Sequence, residues 1–143
     1  MNIIKQFNIN EPNQFEANRT QVNVGIVPTT KTVEEQTMEG YEYITVCFES
    51  PWMYTDEALL EIAKKEARTH EVEAIKITIE KGTFHGNEEA QRRLKARRDE
   101  MKDGETWGWK DINGDFIELT KDEFSEIIKN AINKQDEYWV KYA

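Results

Sequence analysis

The sequence predicts an α+β protein in which a β-rich, extended region, residues 1–53, precedes a small domain, residues 54–143. First, residues 1–53 show no helical period, and their apolar side chains alternate instead. Second, residues 54–143 contain three segments that begin with helix-capping residues. Third, residues 111–115 contain Asn-Gly between two runs with aromatic residues, which indicates a β-hairpin. The small domain is therefore expected to run helix, strand, helix, hairpin, helix.

The composition is that of a soluble protein with a packed core. Hydrophobic residues make up 38% of the 143 residues, charged residues 33% and aromatic residues 10%, with four Trp. No run of apolar residues approaches the length of a membrane span, so we expect no membrane association. A single cysteine, Cys47, excludes an internal disulfide and suits a reducing compartment.

The formal net charge of −9 is unevenly distributed along the chain. Residues 1–80 carry 7 basic and 14 acidic side chains, whereas residues 81–143 carry 12 and 14. Binding to nucleic acid depends on a basic surface that replaces phosphate counterions, so we expect no nucleic-acid partner. The acidic first half has two interpretations: a solubilising surface, or a surface that mimics nucleic acid and meets a basic partner.

Two strands are predicted in the N-terminal region. Residues 22–26 alternate, and residues 41–48 carry bulky groups on both faces until Pro51 ends the strand. Such strands are usually covered on both sides, either within a fold or by a partner chain. The polar residues 29–40 are predicted to be a loop. Asn residues interrupt the apolar ones, so residues 1–50 are expected to lack a dense core and to be ordered mainly by other chains. The candidate interaction residues here are Val22, Val24, Tyr41 and Tyr43.

The first helix and the following strand are predicted from capping and periodicity. Thr55 caps a helix with two acidic residues in its first turn, and the helix is expected to run to about Thr69. Residues 72–79 are predicted to form a half-buried strand, which Gly82 ends. The apolar stripe of this helix contains Leu59, Ile62, Ala63 and Ala67.

The last sixty residues carry the strongest local signals. Asn87 is predicted to open a helix that Gly104 closes, and Trp107 and Trp109 lead into the hairpin as further candidate interaction residues. Thr120 and Glu123 have the spacing of a capping box in front of the final helix. The apolar stripe of that helix contains Phe124, Ile127, Ile128, Ala131, Ile132, Tyr138 and Trp139.

Residues 111–115 also resemble the start of a calcium-binding loop. Oxygen-bearing side chains alternate at Asp111, Asn113 and Asp115, as a hard cation requires. Such a loop needs Gly at its sixth position and an aliphatic residue at its eighth, and this chain has Phe116 and Glu118 there. A hairpin turn explains the pattern without a metal, so we predict no metal site.

No arrangement of residues predicts catalysis or a cofactor. Cys47 lies within a predicted strand, with no helix N-terminus or small-residue elbow to activate it, so a nucleophilic pair with either His70 or His85 is not favoured. Two histidines and one cysteine are too few for a structural zinc site. The basic run at residues 92–98 is interleaved with acids and contains no aromatic platform, which favours a solvated helix face.

Residues 83–142 contain a set of spaced short motifs. They are Thr83-Phe84-His85-Gly86-Asn87, Gln91-Arg92-Arg93, Trp109-Lys110-Asp111-Ile112-Asn113, Leu119-Thr120, Tyr138 and Tyr142. Through these motifs the block resembles an uncharacterised phage domain family that is associated with tail-fibre segments, with Ala90 where Ser is expected. Residues 7–12 and 18–23 look like phage structural protein sequence as well.

The resemblance implies a phage virion-associated structural or assembly protein of the tail or tail fibre. Such a protein acts through contacts with other phage structural proteins, forms a homo-oligomer, and is found in the virion and, during assembly, in the host cytoplasm. It would have no enzymatic activity and no cofactor. The alternative is a small, acidic, phage-encoded inhibitor of a host defence complex, which the acidic first half would suit.

Overall fold

A computed structural model describes all 143 residues, Met1 to Ala143, and confirms the α+β class. The three helices are α1 (Asp56–Glu73), α2 (Glu88–Glu100) and α3 (Lys121–Lys141). No helix combines the length and the apolar character that crossing a bilayer requires. The strands are β1 (Asn2–Asn8), β2 (Phe15–Glu16), β3 (Gln21–Val33), β4 (Gln36–Cys47), β5 (Lys76–Ile79), β6 (Gly82–His85), β7 (Thr106–Lys110) and β8 (Phe116–Thr120).

The chain divides into two compact units. The first unit contains Met1–His70 together with Lys141–Ala143, and the second contains Glu71–Val140. The sequence places the division before the first helix, at residues 53 and 54, whereas the structure places it near the end of α1. The N-terminal strands therefore share a unit with most of a helix.

The first unit contains a four-stranded antiparallel sheet in the order β1-β4-β3-β2. The prediction of a loop at residues 29–40 is wrong, because β3 and β4 remain paired up to Val33 and Gln36. Glu34 and Glu35 form the two-residue turn, both with positive φ, which matches the twist of the paired strands. The segment is polar because the tip of this hairpin is exposed on both faces.

The first unit has a hydrophobic core of its own. Val22 faces Val46 and Val24 faces Ile44 across the β3–β4 pair, and all four are at most 4% exposed. The helix α1 buries Leu59, Ala63 and Ala67 completely in the same unit. The N-terminal region thus contributes one face of its sheet to a hydrophobic core. The prediction that residues 1–50 lack a dense core is therefore wrong.

Polar side chains of the N-terminal region form a hydrogen-bonded network across the sheet. The Gln6 amide donates to the Thr45 hydroxyl at 2.7 Å, and that hydroxyl donates to the Asn23 side-chain oxygen at 2.7 Å. The Asn23 amide in turn donates to the Asn13 carbonyl at 2.7 Å. Asn23 and Thr45 are buried, and their partners offset the cost of removing them from water.

The last residues of the chain complete the first unit. Gly25 has a φ of +64° and lies at an irregularity in the β3–β4 pairing. A Cβ atom at this position would lie 2.6 Å from the ring of Tyr142, which is 1% exposed. The Lys64 ammonium also donates to the carbonyl of Ala143 at 3.2 Å. Glycine is therefore required at position 25 both for its conformation and for the approach of the ring.

The second unit contains two hairpins, the helix α2 and most of α3. The hairpins are β5–β6 and β7–β8, both antiparallel. The predicted strand at residues 72–79 is shorter in the structure, because Val72 lies in the last turn of α1 and β5 begins at Lys76. The strand β5 ends at Ile79, and Gly82, which was expected to end it, begins β6.

Capping side chains determine where α2 and α3 begin, as predicted. The side-chain oxygen of Asn87 accepts a hydrogen bond from the Ala90 amide at 2.8 Å. The Thr120 amide donates to the Glu123 carboxylate at 2.9 Å, and the Glu123 amide donates to the Thr120 hydroxyl at 3.2 Å. The helix α2 ends at Glu100, so Gly104 lies in the turn beyond it.

The core of the second unit is built on one face of α3. Trp139, predicted on this face, is half exposed at 50%, so the predicted stripe extends beyond the core. The ring of Trp109 meets Phe124 edge to face, with centroids 5.4 Å apart. The buried side chains of α3 are Phe124, Ile127, Ile128 and Ala131, and they pack in one cluster with Val72, Ile75, Ile77, Ile79, Phe84, Leu94, Met101 and Leu119.

Acidification should remove part of the stability of the second unit through Glu123. Burial tends to raise the pKa of this carboxyl, but hydrogen bonds from Lys81 and Thr120 outweigh it and hold the pKa below its ordinary value of 4.5. Because the folded-state pKa is the lower one, the stabilisation is complete above pH 4.5 and is lost as the pH falls through the folded-state pKa. Denaturant titrations across this range should show a flatter pH dependence for Glu123→Gln. An identical pH dependence would contradict the assignment.

Candidate functional site

A groove of about 640 Å³ lies in the second unit, between α2 and the β7–β8 hairpin. We call it the arginine groove. Its volume lies in the range of sites that hold a small ligand or a few side chains of a partner. Four lining residues belong to α2: Glu89, Ala90, Arg93 and Arg97. The strands of the hairpin supply Gly108, Trp109, Lys110 and Phe116, and its turn supplies Asp111, Ile112 and Gly114. His85 and Asn87 complete the lining.

The helical period positions the basic side of the groove. Leu94 is fully buried and fixes the rotation of α2 about its axis. Ala90, Arg93 and Arg97 are spaced by three and four residues, so they share one face of the helix. Ala90 contributes only a small side chain to the lining of the groove.

Cation–aromatic contacts hold the basic groups in place. The guanidinium of Arg97 lies 4.1 Å from the centre of the Trp107 ring, and the Lys110 ammonium lies 5.4 Å from that of Phe116. Each such contact contributes roughly 0.5–1 kcal/mol at an exposed site. Stacking uses the face of the guanidinium and leaves the N–H groups on its edge available for a carboxylate.

Acidic side chains moderate the positive charge of the groove. Glu89 forms an ion pair with Arg93 at 2.9 Å, and Glu100 lies 3.6 Å from Arg97. The carboxylate of Asp111 accepts hydrogen bonds from two amides of the hairpin turn. The groove is thus a mixed aromatic and cationic surface, not a dense basic patch.

The structure separates the six predicted interaction residues into two groups. Val22, Val24 and Tyr43 are 0%, 4% and 6% exposed, so their assignment to an interaction surface is corrected. They are buried within the first unit, where no partner can reach them while the sheet is intact. Tyr41 is half-buried at the surface of β4.

Trp107 and Trp109, the remaining two, contribute to the groove in different ways. Trp107 is 40% exposed and supports Arg97, whereas Trp109 lines the groove and packs on Phe124. Whether a partner contacts them stays a prediction.

Two surface features are not among those predicted from the sequence. The basic run of α2 lacks an aromatic platform of its own, but the hairpin supplies Trp107, about ten residues further along the chain. Trp52, Met53 and Tyr54 are 73%, 71% and 42% exposed in the first unit. Their signal was available: three large apolar residues stand between a proline and a helix cap, without periodic apolar partners.

The residues that resembled a calcium loop form a hairpin turn. The Asp111 carboxylate accepts hydrogen bonds from the amides of Asn113 at 2.9 Å and Asp115 at 3.0 Å, and Gly114 has a φ of +86°. No group of three or more His, Cys, Asp or Glu side chains is arranged to hold a metal ion. The Asp111 oxygen that a cation would need already accepts two hydrogen bonds within the turn.

Calcium should therefore leave the stability of the protein unchanged. Phe116 occupies the position where a calcium loop needs glycine for its sharp turn, and Asp111 is engaged with backbone amides. The melting temperature, measured with millimolar calcium and with chelator, should be the same. A rise of several degrees with calcium would contradict this prediction.

Comparison with known proteins finds no match: no protein-family model, no curated protein and no solved structure is similar to the chain. The resemblance to the phage domain family stays a prediction.

Proposed function

We propose that this chain is a phage virion-associated structural or assembly protein of the tail or tail fibre. It acts through contacts with other phage structural proteins and performs no chemistry of its own. The resemblance of residues 83–142 to the phage domain family supports the biological setting. The arginine groove supports the mode of action and is the single observation on which it depends.

The groove has the side chains that dominate protein–protein contacts. Arginine and the large aromatic residues carry most of the binding energy at such interfaces. Trp107 holds Arg97 in a fixed orientation, so little side-chain freedom would be lost when a partner binds. Trp109 and Phe116 add apolar surface next to the charges. This combination suits a partner segment that carries both a carboxylate and an apolar side chain.

The charge distribution favours a protein over a nucleic acid as the partner. The chain has a net charge of −9, and Glu89, Glu100 and Asp111 lie in or beside the groove. These carboxylates would repel a phosphate backbone, whereas a partner with one or two carboxylates needs only Arg93 or Arg97.

Quantitative mass spectrometry of purified phage particles tests the proposal. We expect the chain at a fixed number of copies relative to a known structural protein, and at the same ratio after a high-salt wash. Absence from particles, with abundant chain in the infected cell, would contradict the proposal.

The same experiment addresses the second candidate, an inhibitor of a host defence complex. The excess of acidic residues in residues 1–80 favours this candidate. An inhibitor would be missing from particles and would co-purify from infected cells with a host complex at a defined ratio.

A further inference from the structure

The segment at residues 49–57 in the first unit, which we call the Trp52 loop, is an apolar protrusion. Trp52 is 73% exposed, Met53 71% and Tyr54 42%. Scattered apolar residues are normal on a protein surface, but three adjacent large ones are typical of a contact site. Tryptophan and tyrosine are also the residue types that most often anchor interfaces.

The Trp52 loop is held in one backbone conformation. Pro51 is buried, and the amides of Met53 and Tyr54 donate to the carbonyls of Ser50 and Pro51 at 3.2 and 3.1 Å. The guanidinium of Arg19 donates to the Tyr54 carbonyl at 2.6 Å. A protrusion that is already ordered loses little entropy on binding, so its apolar area contributes more fully to affinity.

The charges around the Trp52 loop are complementary to those of the arginine groove. Glu49 and Glu57 are exposed, and Asp56 is exposed while pairing with Arg19 at 2.6 Å. No basic residue occurs within residues 49–57. The groove offers three basic side chains, Arg93, Arg97 and Lys110, against two acidic ones, Glu89 and Asp111, beside aromatic surface. The loop offers carboxylates beside aromatic side chains.

We infer that the Trp52 loop of one copy occupies the arginine groove of a second copy. Trp52 and Met53 lie against Trp109 and Phe116, and the acidic residues that flank them meet the guanidinium of Arg97. This inference rests on the proposed function, because it takes the groove as the contact surface and names its partner. One chain carries both halves of the contact.

The proposed contact joins two different surfaces, so it is a head-to-tail contact. Each copy that donates its loop keeps a free groove, and each copy that offers its groove keeps a free loop. Head-to-tail contacts produce a closed ring when the rotation between copies closes, and an open filament when it does not. Either assembly suits a component of a phage tail.

Sedimentation of the full chain over a range of concentrations tests the contact. We expect concentration-dependent association that weakens by roughly tenfold or more in Trp52→Ala, and likewise in Arg97→Glu. Arg92→Glu reverses an exposed charge on the same helix outside the groove, and Val140→Ala removes an exposed apolar group elsewhere. Both control variants should associate like the wild-type protein.

A mixture of the two defective variants gives the sharpest result. Trp52→Ala retains its groove and Arg97→Glu retains its loop, so together they can form one contact. At a concentration where the wild-type protein associates but each weakened variant alone is monomeric, we expect the mixture to form heterodimers that grow no further. Lys110→Glu provides a second groove variant if Arg97→Glu alters the melting temperature.

Three results would overturn the inference: a wild-type chain that is monomeric at its highest attainable concentration, variants that associate as strongly as the wild type, or a mixture that stays monomeric. None of these depends on particle composition. If the chain is monomeric but present in particles, the inferred contact between copies is contradicted and the proposed function is not. A chain that associates as expected but is missing from particles removes the proposed function alone.

Discussion

Replacing Phe124 by alanine should lower the free energy of unfolding of the second unit by about 3–5 kcal/mol. Phe124 is fully buried on the core face of α3. Its ring meets Trp109 edge to face, with centroids 5.4 Å apart and ring planes at 80°. The substitution would leave a cavity and would remove this contact. Denaturant titration followed by tryptophan fluorescence measures the change.

Phe116→Ala is the matched control, because it makes the same chemical change at a side chain that is 70% exposed in the same unit. We expect a loss of no more than about 1 kcal/mol there, because the substitution removes only the contact with Lys110 and creates no cavity. Equal losses for the two variants would show that α3 is not the centre of the core. Because Trp109 also lines the groove, Phe124→Ala should in addition weaken any contact made there.

Gly25→Ala should destabilise the first unit through two separable effects. The left-handed backbone at this position, with a φ of +64°, costs about 1–2 kcal/mol for a residue with a Cβ atom. The new methyl group would also lie 2.6 Å from the ring of Tyr142, and such overpacking costs a further 1–3 kcal/mol, roughly. Thermal and denaturant unfolding of the first unit measure the sum.

Two variants separate the backbone effect from the packing effect. Gly104 has a φ of +84° with no atom near its missing Cβ, so Gly104→Ala should show the backbone cost alone. In a double variant, Tyr142→Ala removes the ring that Gly25→Ala would displace, so the two losses should not add. If the losses of unfolding free energy add, the Tyr142 ring does not contact the methyl group at residue 25.

The elements that the sequence predicts well are those with signals inside a few residues. Asn87 caps α2 through its own side chain, and Thr120 and Glu123 satisfy each other's amides at the start of α3. The Asn-Gly pair at positions 113 and 114 marks the turn of the last hairpin, where Gly114 has a positive φ. These features depend on local chemistry, which one sequence contains in full.

The errors concern features that depend on distant parts of the chain. The polar residues of the β3–β4 tip are equally compatible with a loop, since only their pairing partners decide between the two structures. The division of the chain within α1 also depends on distant contacts. So does the inclusion of Tyr142 in the first unit, because it packs on Gly25, more than a hundred residues away.

The candidate site could be predicted from the sequence only in part, because the exposure of a side chain also depends on distant contacts. Val22 and Tyr43 have the residue types of an interaction surface, but the sheet turns them inward. Trp107 was a candidate from its position before the hairpin, yet its contact with Arg97 depends on the packing of the hairpin against α2. Residue type suggests which side chains bind, and tertiary structure decides which of them face outward.

The most direct test of the proposed function is the copy number of Arg97→Glu in purified phage particles, measured against the Arg92→Glu control. Both variants reverse one charge on α2, but only Arg97 lies in the groove. We expect the control to be incorporated at the wild-type ratio and Arg97→Glu to be largely lost from particles while remaining folded in the infected cell. Incorporation of Arg97→Glu at the wild-type ratio would contradict the claim that this chain works through the arginine groove.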